Sequence, residues 1–280
     1  MAVPIISFGQ QPNGFFPKRF FYSKIQSARK LQSQIGGKIV FFYHDSDADY
    51  RETITVLRDI RSRAEVRLNF LQPNKIQKKF SPLYAKRIAP GWKQEMLKQL
   101  PRFIPSEARA KGAAVPTRGR DLPLTGFMDA HSQLITIFTS MEQETVADFC
   151  LEMYRKMGLL EGIEIVRSGE RSVREQAAEI EEYYADIEYN GEIVRALRRD
   201  DGFILHEGGG RFITLPVRPV EKWQKSPGRD LRFLWMQSVI RCTHYIMGAS
   251  EKEYLDRAAF PDITFIEREP ISQPNYAWIG

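Results

Sequence analysis

The sequence predicts an α/β fold built on a doubly wound, mainly parallel sheet, and three observations carry that expectation. Short apolar runs bounded by Gly and Pro alternate with stretches of helical periodicity. The run Lys38-Ile39-Val40-Phe41-Phe42-Tyr43 is apolar almost without a break, as a strand covered on both faces requires. Strand, helix, strand and helix succeed one another over residues 5–62, which is the start of right-handed crossovers. The chain has 280 residues, 42% of them hydrophobic and 27% charged, enough for one large domain with insertions.

Strand one is Ile5-Ile6-Ser7-Phe8, followed by a loop from Gly9 to Pro17. A helix is expected at 18–35, with Phe21, Ile25, Ala28 and Leu31 on one face and Gly36-Gly37 as its stop. After the strand at 38–43 comes Asp45-Ser46-Asp47-Ala48-Asp49, then an expected helix at 50–62. Prolines 73, 82, 90, 101, 105, 116 and 123 interrupt residues 72–125. This reads as a basic insertion with a short helix at 91–100 and a flexible segment at 106–121. A strand is expected at Leu134–Phe138, helices at 141–157 and 171–184, and an antiparallel meander at 186–216. The meander carries an Asn190-Gly191 hairpin signal and turns at Asp200-Asp201-Gly202 and Gly208-Gly209-Gly210. A helix near 230–240, a strand at 243–247, a helix near 250–258 and a strand at 263–266 complete the pattern.

Net charge is +6 and the two cysteines, Cys150 and Cys242, are far apart. Two buried thiols in a reducing compartment suit them. No run is long and apolar enough for a membrane span, and the first residues lack the pattern of a secretory signal, so a cytoplasmic protein is expected. The positive balance favours an anionic small-molecule or nucleotide ligand. The Lys and Arg of 58–120 read first as a solvated face or a basic lid. Single-stranded nucleic acid, held by charge and by Phe80, Tyr84 and Trp92, is the lesser reading.

In open α/β sheets ligands sit at the carboxyl ends of strands. Three such ends carry polar residues: Gly9-Gln10-Gln11; Asp45, Asp47 and Asp49; and Gly248-Ala249-Ser250-Glu251. Each has a plain alternative in a polar turn, helix-capping acids or an N-cap at Ser250. His44 and His244 lie in predicted strands, where a satisfied sheet histidine is the default, and both are kept as candidate binding residues. No zinc spacing, Walker loop, Gly-x-Ser-x-Gly elbow or dinucleotide fingerprint is present.

The run Phe8-Gly9-Gln10-Gln11-Pro12-Asn13-Gly14-Phe15-Phe16, with Tyr22 and Lys24 beyond it, resembles the loop of the cysteine-adding enzyme family of bacillithiol biosynthesis. Ser46-Asp47-Ala48-Asp49-Tyr50 aligns with that family's Glu-Asp-His-Asp-aromatic stretch. His244-Tyr245-Ile246-Met247-Gly248-Ala249-Ser250-Glu251 aligns with its His-Tyr-Ile-Gly-Gly-Pro-Gly-Glu. Three pieces match in order, near the two ends of the chain. Ala48 replaces the family's histidine, Ser46 its glutamate, and no heptad array stands for its coiled coil. The resemblance implies a Rossmann-like core with a crevice for a nucleotide or an amine- or carboxylate-bearing substrate.

The expected function is a ligase or transferase. Asp47, Asp49 and Glu251 are its candidate catalytic groups. Gly9, Gln10, Gln11, Lys18, Lys24, His44, Arg218, His244, Gly248 and Ser250 are its candidate binding groups. Gln10 and Gln11 would orient a phosphate or carboxylate, and Lys18, Lys24 or Arg218 would neutralise an anion. Asp47 and Asp49 would take an amine or Mg²⁺. A noncatalytic binder of small molecules or nucleotides is the alternative, and a basic nucleic-acid binder is the third.

Overall fold

The computed structural model describes residues 3–104 and 133–279. Its central sheet follows from the alternation of side chains along one strand. In β2 (Lys38–Tyr43), Ile39, Phe41 and Tyr43 pack into one apolar cluster while Val40 and Phe42 pack into another on the opposite face. A strand buried on both faces must be interior and flanked by helices. β2 lies between β1 (Ile5–Gln10) and β5 (Ile163–Arg167), parallel to both. The full order is β12-β11-β1-β2-β5, all parallel, with β11 His244–Met247 and β12 Thr264–Glu267. Numbered along the chain this is 3-2-1-4-5 reversed, the strand order of a Rossmann-like sheet. The direction of winding switches between β1 and β11, so their carboxyl ends part to leave a crevice.

Helix α1 (Arg19–Ile35) covers the first face with Phe21, Ile25 and Ala28. The second face is covered by Phe233, Trp235, Met236 and Ile240 of a later helix, Arg232–Ile240. A second sheet, order β10-β6-β7-β8-β9, is antiparallel. Its strands are β6 Tyr183–Tyr189, β7 Glu192–Arg199, β8 Gly202–Gly208, β9 Arg211–Leu215 and β10 Lys225–Pro227. Asn190 and Gly191 both adopt positive φ, 50° and 75°, which is the tight hairpin the Asn-Gly pair predicts.

Several expectations give way. The expected helix at 50–62 is a loop followed by β3 (Thr55–Arg58), paired antiparallel with β4 (Glu65–Leu68). The β-branched run Thr53-Ile54-Thr55-Val56 suits a strand, and Thr55 Oγ1 accepts the Phe15 N–H at 2.9 Å. The expected strand at 134–138 is a helix over 133–139. Leu134, Phe138 and Met141 are buried at helical spacing, and the sheet edge it would have taken belongs to β5, which the pattern did not reveal. The helix expected at 171–184 stops at Gln176, and β6 begins at Tyr183. The helix expected near 250–258 spans only Glu251–Tyr254. The flexible segment expected at 106–121 lies outside the described residues.

Candidate functional site

The end of β1 is built tightly. A Cβ at Gly9 would lie 2.8 Å from His44 Nε2 and 3.0 Å from the Tyr245 hydroxyl, so only glycine fits there. The Gly9 N–H donates to Tyr245 Oη at 3.2 Å, and Tyr245 Oη donates to Glu251 Oε1 at 2.8 Å. Glu251 Oε2 takes the Gly248 N–H at 2.6 Å and Lys24 Nζ at 2.5 Å. Lys24 Nζ also donates to the Gly9 carbonyl at 2.8 Å. Lys24 and Glu251 thus fasten β1 to the loop after β11 across the switch point.

The loop after β2 divides its aspartates. Asp45 turns toward β5, fully buried, and accepts from Arg167 Nε at 2.7 Å and the Gly169 N–H at 2.6 Å. Asp47 turns into the crevice. Its carboxylate accepts from Gln11 Nε2, from Arg232 Nη2 at 2.6 Å and from the N–H groups of Ala48 and Asp49. Arg195 from β7 approaches to 3.6 Å. Burial would raise the pKa of Asp47, but Arg195 and Arg232 outweigh it and hold the carboxyl well below the usual carboxylate range. Asp49 is gripped by Arg51 at 2.7 Å.

His44 differs from its neighbours. Its ring stands edge-on to Phe42 at 4.5 Å and lines the crevice, with no hydrogen-bond partner among the described residues. Burial first, and then Arg232, push its pKa well below the ordinary histidine value. The imidazole is therefore neutral near pH 7 and offers a lone pair, while burial and Arg232 disfavour its protonated form.

The crevice encloses about 830 Å³. Gly9, Gln10, Gln11, Lys18, Lys24, His44, Asp47, Asp49, Gly248, Ser250 and Glu251 all line it, so the three separate strand ends converge. Two residues do not reach it. Arg218 lies beyond β9 and donates to the Glu188 carbonyl at 2.9 Å. His244 opens β11, at the amino end, where its Nδ1 meets Thr243 Oγ1 at 2.8 Å. Lys24 is bonded to Glu251 and to the Gly9 carbonyl, so it ties the two loops together. Arg229, Arg232, Arg268 and Tyr254 line the crevice and were not read from the sequence. The arginines sit in no motif.

Two groups implied by the fold or the aspartates can be tested against these residues. A divalent cation does not fit the aspartates, because their oxygens face N–H donors and guanidinium groups. Among the described residues no group of three His, Cys, Asp or Glu could hold a metal ion. In Rossmann-type sites a phosphate sits at the N-terminus of the first helix. Here that end is occupied by the chain itself. The N–H groups of Arg19 and Phe20 donate to the carbonyls of Tyr276 and Pro274 at 2.8 and 3.0 Å. Trp278 stacks on Tyr22 at 4.5 Å to secure that segment. A nucleotide in this crevice would be held by side chains.

The described part of the basic stretch is largely committed internally. Lys75 pairs with Glu207, Arg87 with Glu192 and Arg102 with Asp59. Lys86 is fully buried. No helix among the described residues is long and apolar enough to cross a membrane. Fold and site together define a Rossmann-like α/β protein with a mixed-charge crevice at its topological switch point. No protein-family model matches the chain, and no curated protein matches it.

Proposed function

We propose that this protein is an enzyme of the ligase or transferase type, acting on a small metabolite that carries an anionic group and a nucleophilic amine. The observation that carries the reading is His44: a buried, neutral imidazole whose ring has no hydrogen-bond partner among the described residues, facing a crevice rich in guanidinium groups. A neutral imidazole can take the proton of an amine as its nitrogen bonds to the acyl or phosphoryl centre of an activated donor and the bond from that centre to the donor's leaving group breaks, the leaving group departing with the electron pair. Arg232, fixed by Asp47, and Arg268 lie where they can hold the anionic end and oppose developing negative charge. In this reading Asp47 and Asp49 position arginines, and Glu251 positions Lys24 and the Gly248 loop. The three carboxylates act through other groups.

The test is a thermal-shift screen of wild-type protein with amino acids, organic acids, thiols and nucleotides, followed by turnover assays on the hits. A ligand should raise the melting temperature, and the gain should vanish in Arg232→Gln. His44→Gln should keep the ligand and lose turnover. Ligand binding without any turnover of an activated acyl or phosphoryl donor would favour the second reading, a noncatalytic binder. The internal pairing of the crevice carboxylates also suits that reading.

A further inference from the structure

A second hollow, of about 250 Å³, lies across the C-terminal segment from the crevice. Pro274 and Asn275 line the crevice, while Gln273, Tyr276 and Ala277 line the second hollow, and Val56 borders both. Its floor is apolar, made by Val56, Leu57, Phe103 and Ile279. Its rim carries Arg19, Arg58 and Arg63. Among the described residues none of these three has a carboxylate within ion-pair distance. Arg51, Arg67, Arg102, Arg167, Arg174 and Arg232 each have one.

Three guanidinium groups around one hollow repel each other, and Glu65, which feels the charge of Arg58, offsets only part of that. Arg58 and Arg19 each make a side-chain contact, and Arg63 is placed by its backbone turn. Arg58 lies over the Tyr276 ring at 5.3 Å, a cation–π contact. Arg63 holds a left-handed φ of 61°, in a turn tied by Asp59 to the N–H groups of Arg61 and Ser62 at 2.9 Å. A glycine would adopt that conformation at less cost. Arg19 is anchored through Gln273 at 3.4 Å.

We infer that this hollow is a binding site for a small organic phosphate, with the ester group on the apolar floor and the phosphate among the three arginines. A carboxylate would leave most of the positive charge unmatched. A phosphate monoester carries about −1.5 to −2 charges at neutral pH and three acceptor oxygens for forked guanidinium donors.

Phenyl phosphate is the probe, with binding measured by calorimetry at low ionic strength on the full chain. It should bind one to one and more tightly than inorganic phosphate, and phenol should not bind. Arg58→Gln combined with Arg63→Gln should weaken it about tenfold or more. Arg58→Lys with Arg63→Lys, which keeps the charge and loses the forked geometry, should also weaken it. Arg232→Gln in the crevice should leave it unchanged. Equal affinity in wild type and the double Gln variant would overturn the site, as would affinity no better than that of inorganic phosphate. Loss of binding in Arg232→Gln would place the ligand in the crevice. Preferential binding of phosphatidic acid vesicles, or of a single-stranded oligonucleotide, through the same arginines would overturn the small-molecule assignment.

Discussion

The crevice and the arginine hollow flank the same C-terminal segment and are built in opposite ways. In the crevice the strand ends bring in charges already matched: Lys24 with Glu251, Arg232 with Asp47, Arg51 with Asp49 and Lys18 with Glu52. In the hollow Arg19, Arg58 and Arg63 have no such match among the described residues. In the first region most charges hold loops in place, although Arg268 has no ion pair among the described residues; in the second all three arginines lack one. A net charge of +6 therefore describes neither region. What decides whether a cation is structural or available is its partner, and partners are set by tertiary contact.

Removing a crevice charge should do the most damage. Lys24→Met would strand Glu251, which is 15% exposed at its side chain, and should cost about 3–5 kcal/mol in urea unfolding, as expected for breaking a buried pair. A loss below about 1 kcal/mol would remove the contrast between the two regions. Gly9→Ala comes next. The added methyl must displace His44 or Tyr245, at a cost of about 1–3 kcal/mol, and should abolish ligand-induced stabilisation of the crevice.

Two further effects depend on pH. Burial pushes the pKa of His44 down, so the unfolded chain binds its proton first as pH falls. That contribution to stability is complete above about pH 6.5 and declines below it, and His44→Gln should flatten the slope between about pH 6.5 and 5. Lys86 donates to the carbonyls of Ala48 and Lys78, and burial lowers its pKa to about 7. The folded chain sheds that proton earlier than the unfolded chain, so stability should rise with pH from about 7 toward 10. Lys86→Met should lack the rise in unfolding measurements across that range.

The smallest effect belongs to the hollow. Arg58→Gln and Arg63→Gln should each change stability by no more than about 0.5 kcal/mol, with any change toward greater stability as repulsion falls. A substantial loss in either variant would mean that these arginines are structural after all.

Much of this architecture was legible in local pattern. The apolar run of β2, the stop at Gly36-Gly37 and the Asn190-Gly191 turn each act over a few residues, where backbone preference and side-chain period suffice. The errors came where local preference was ambiguous. Ile135 and Ile137 suggested a strand, yet Leu134, Phe138 and Met141 could be buried only from a helix. Ile163–Arg167 is too short and mixed to declare itself, and becomes a strand by pairing with β2. The loops at Gly9, Asp47 and Gly248 were readable as strand-end polar residues, and that reading gathered most of the crevice.

The sequence by itself determined that apolar strands and helices alternate, and that polar loops follow the first two strands and the one ending at Met247. These depend on neighbours along the chain. Tertiary structure alone decided the charges. It turned Asp45 away from Asp47 and set Arg195 and Arg232 on Asp47 from distant elements. It left His244 at the wrong end of its strand, and drew residues 274–276 over the first helix. An ion pair needs two groups within a few ångströms, and the separation of Asp47 from Arg232 along the chain holds no information about that distance.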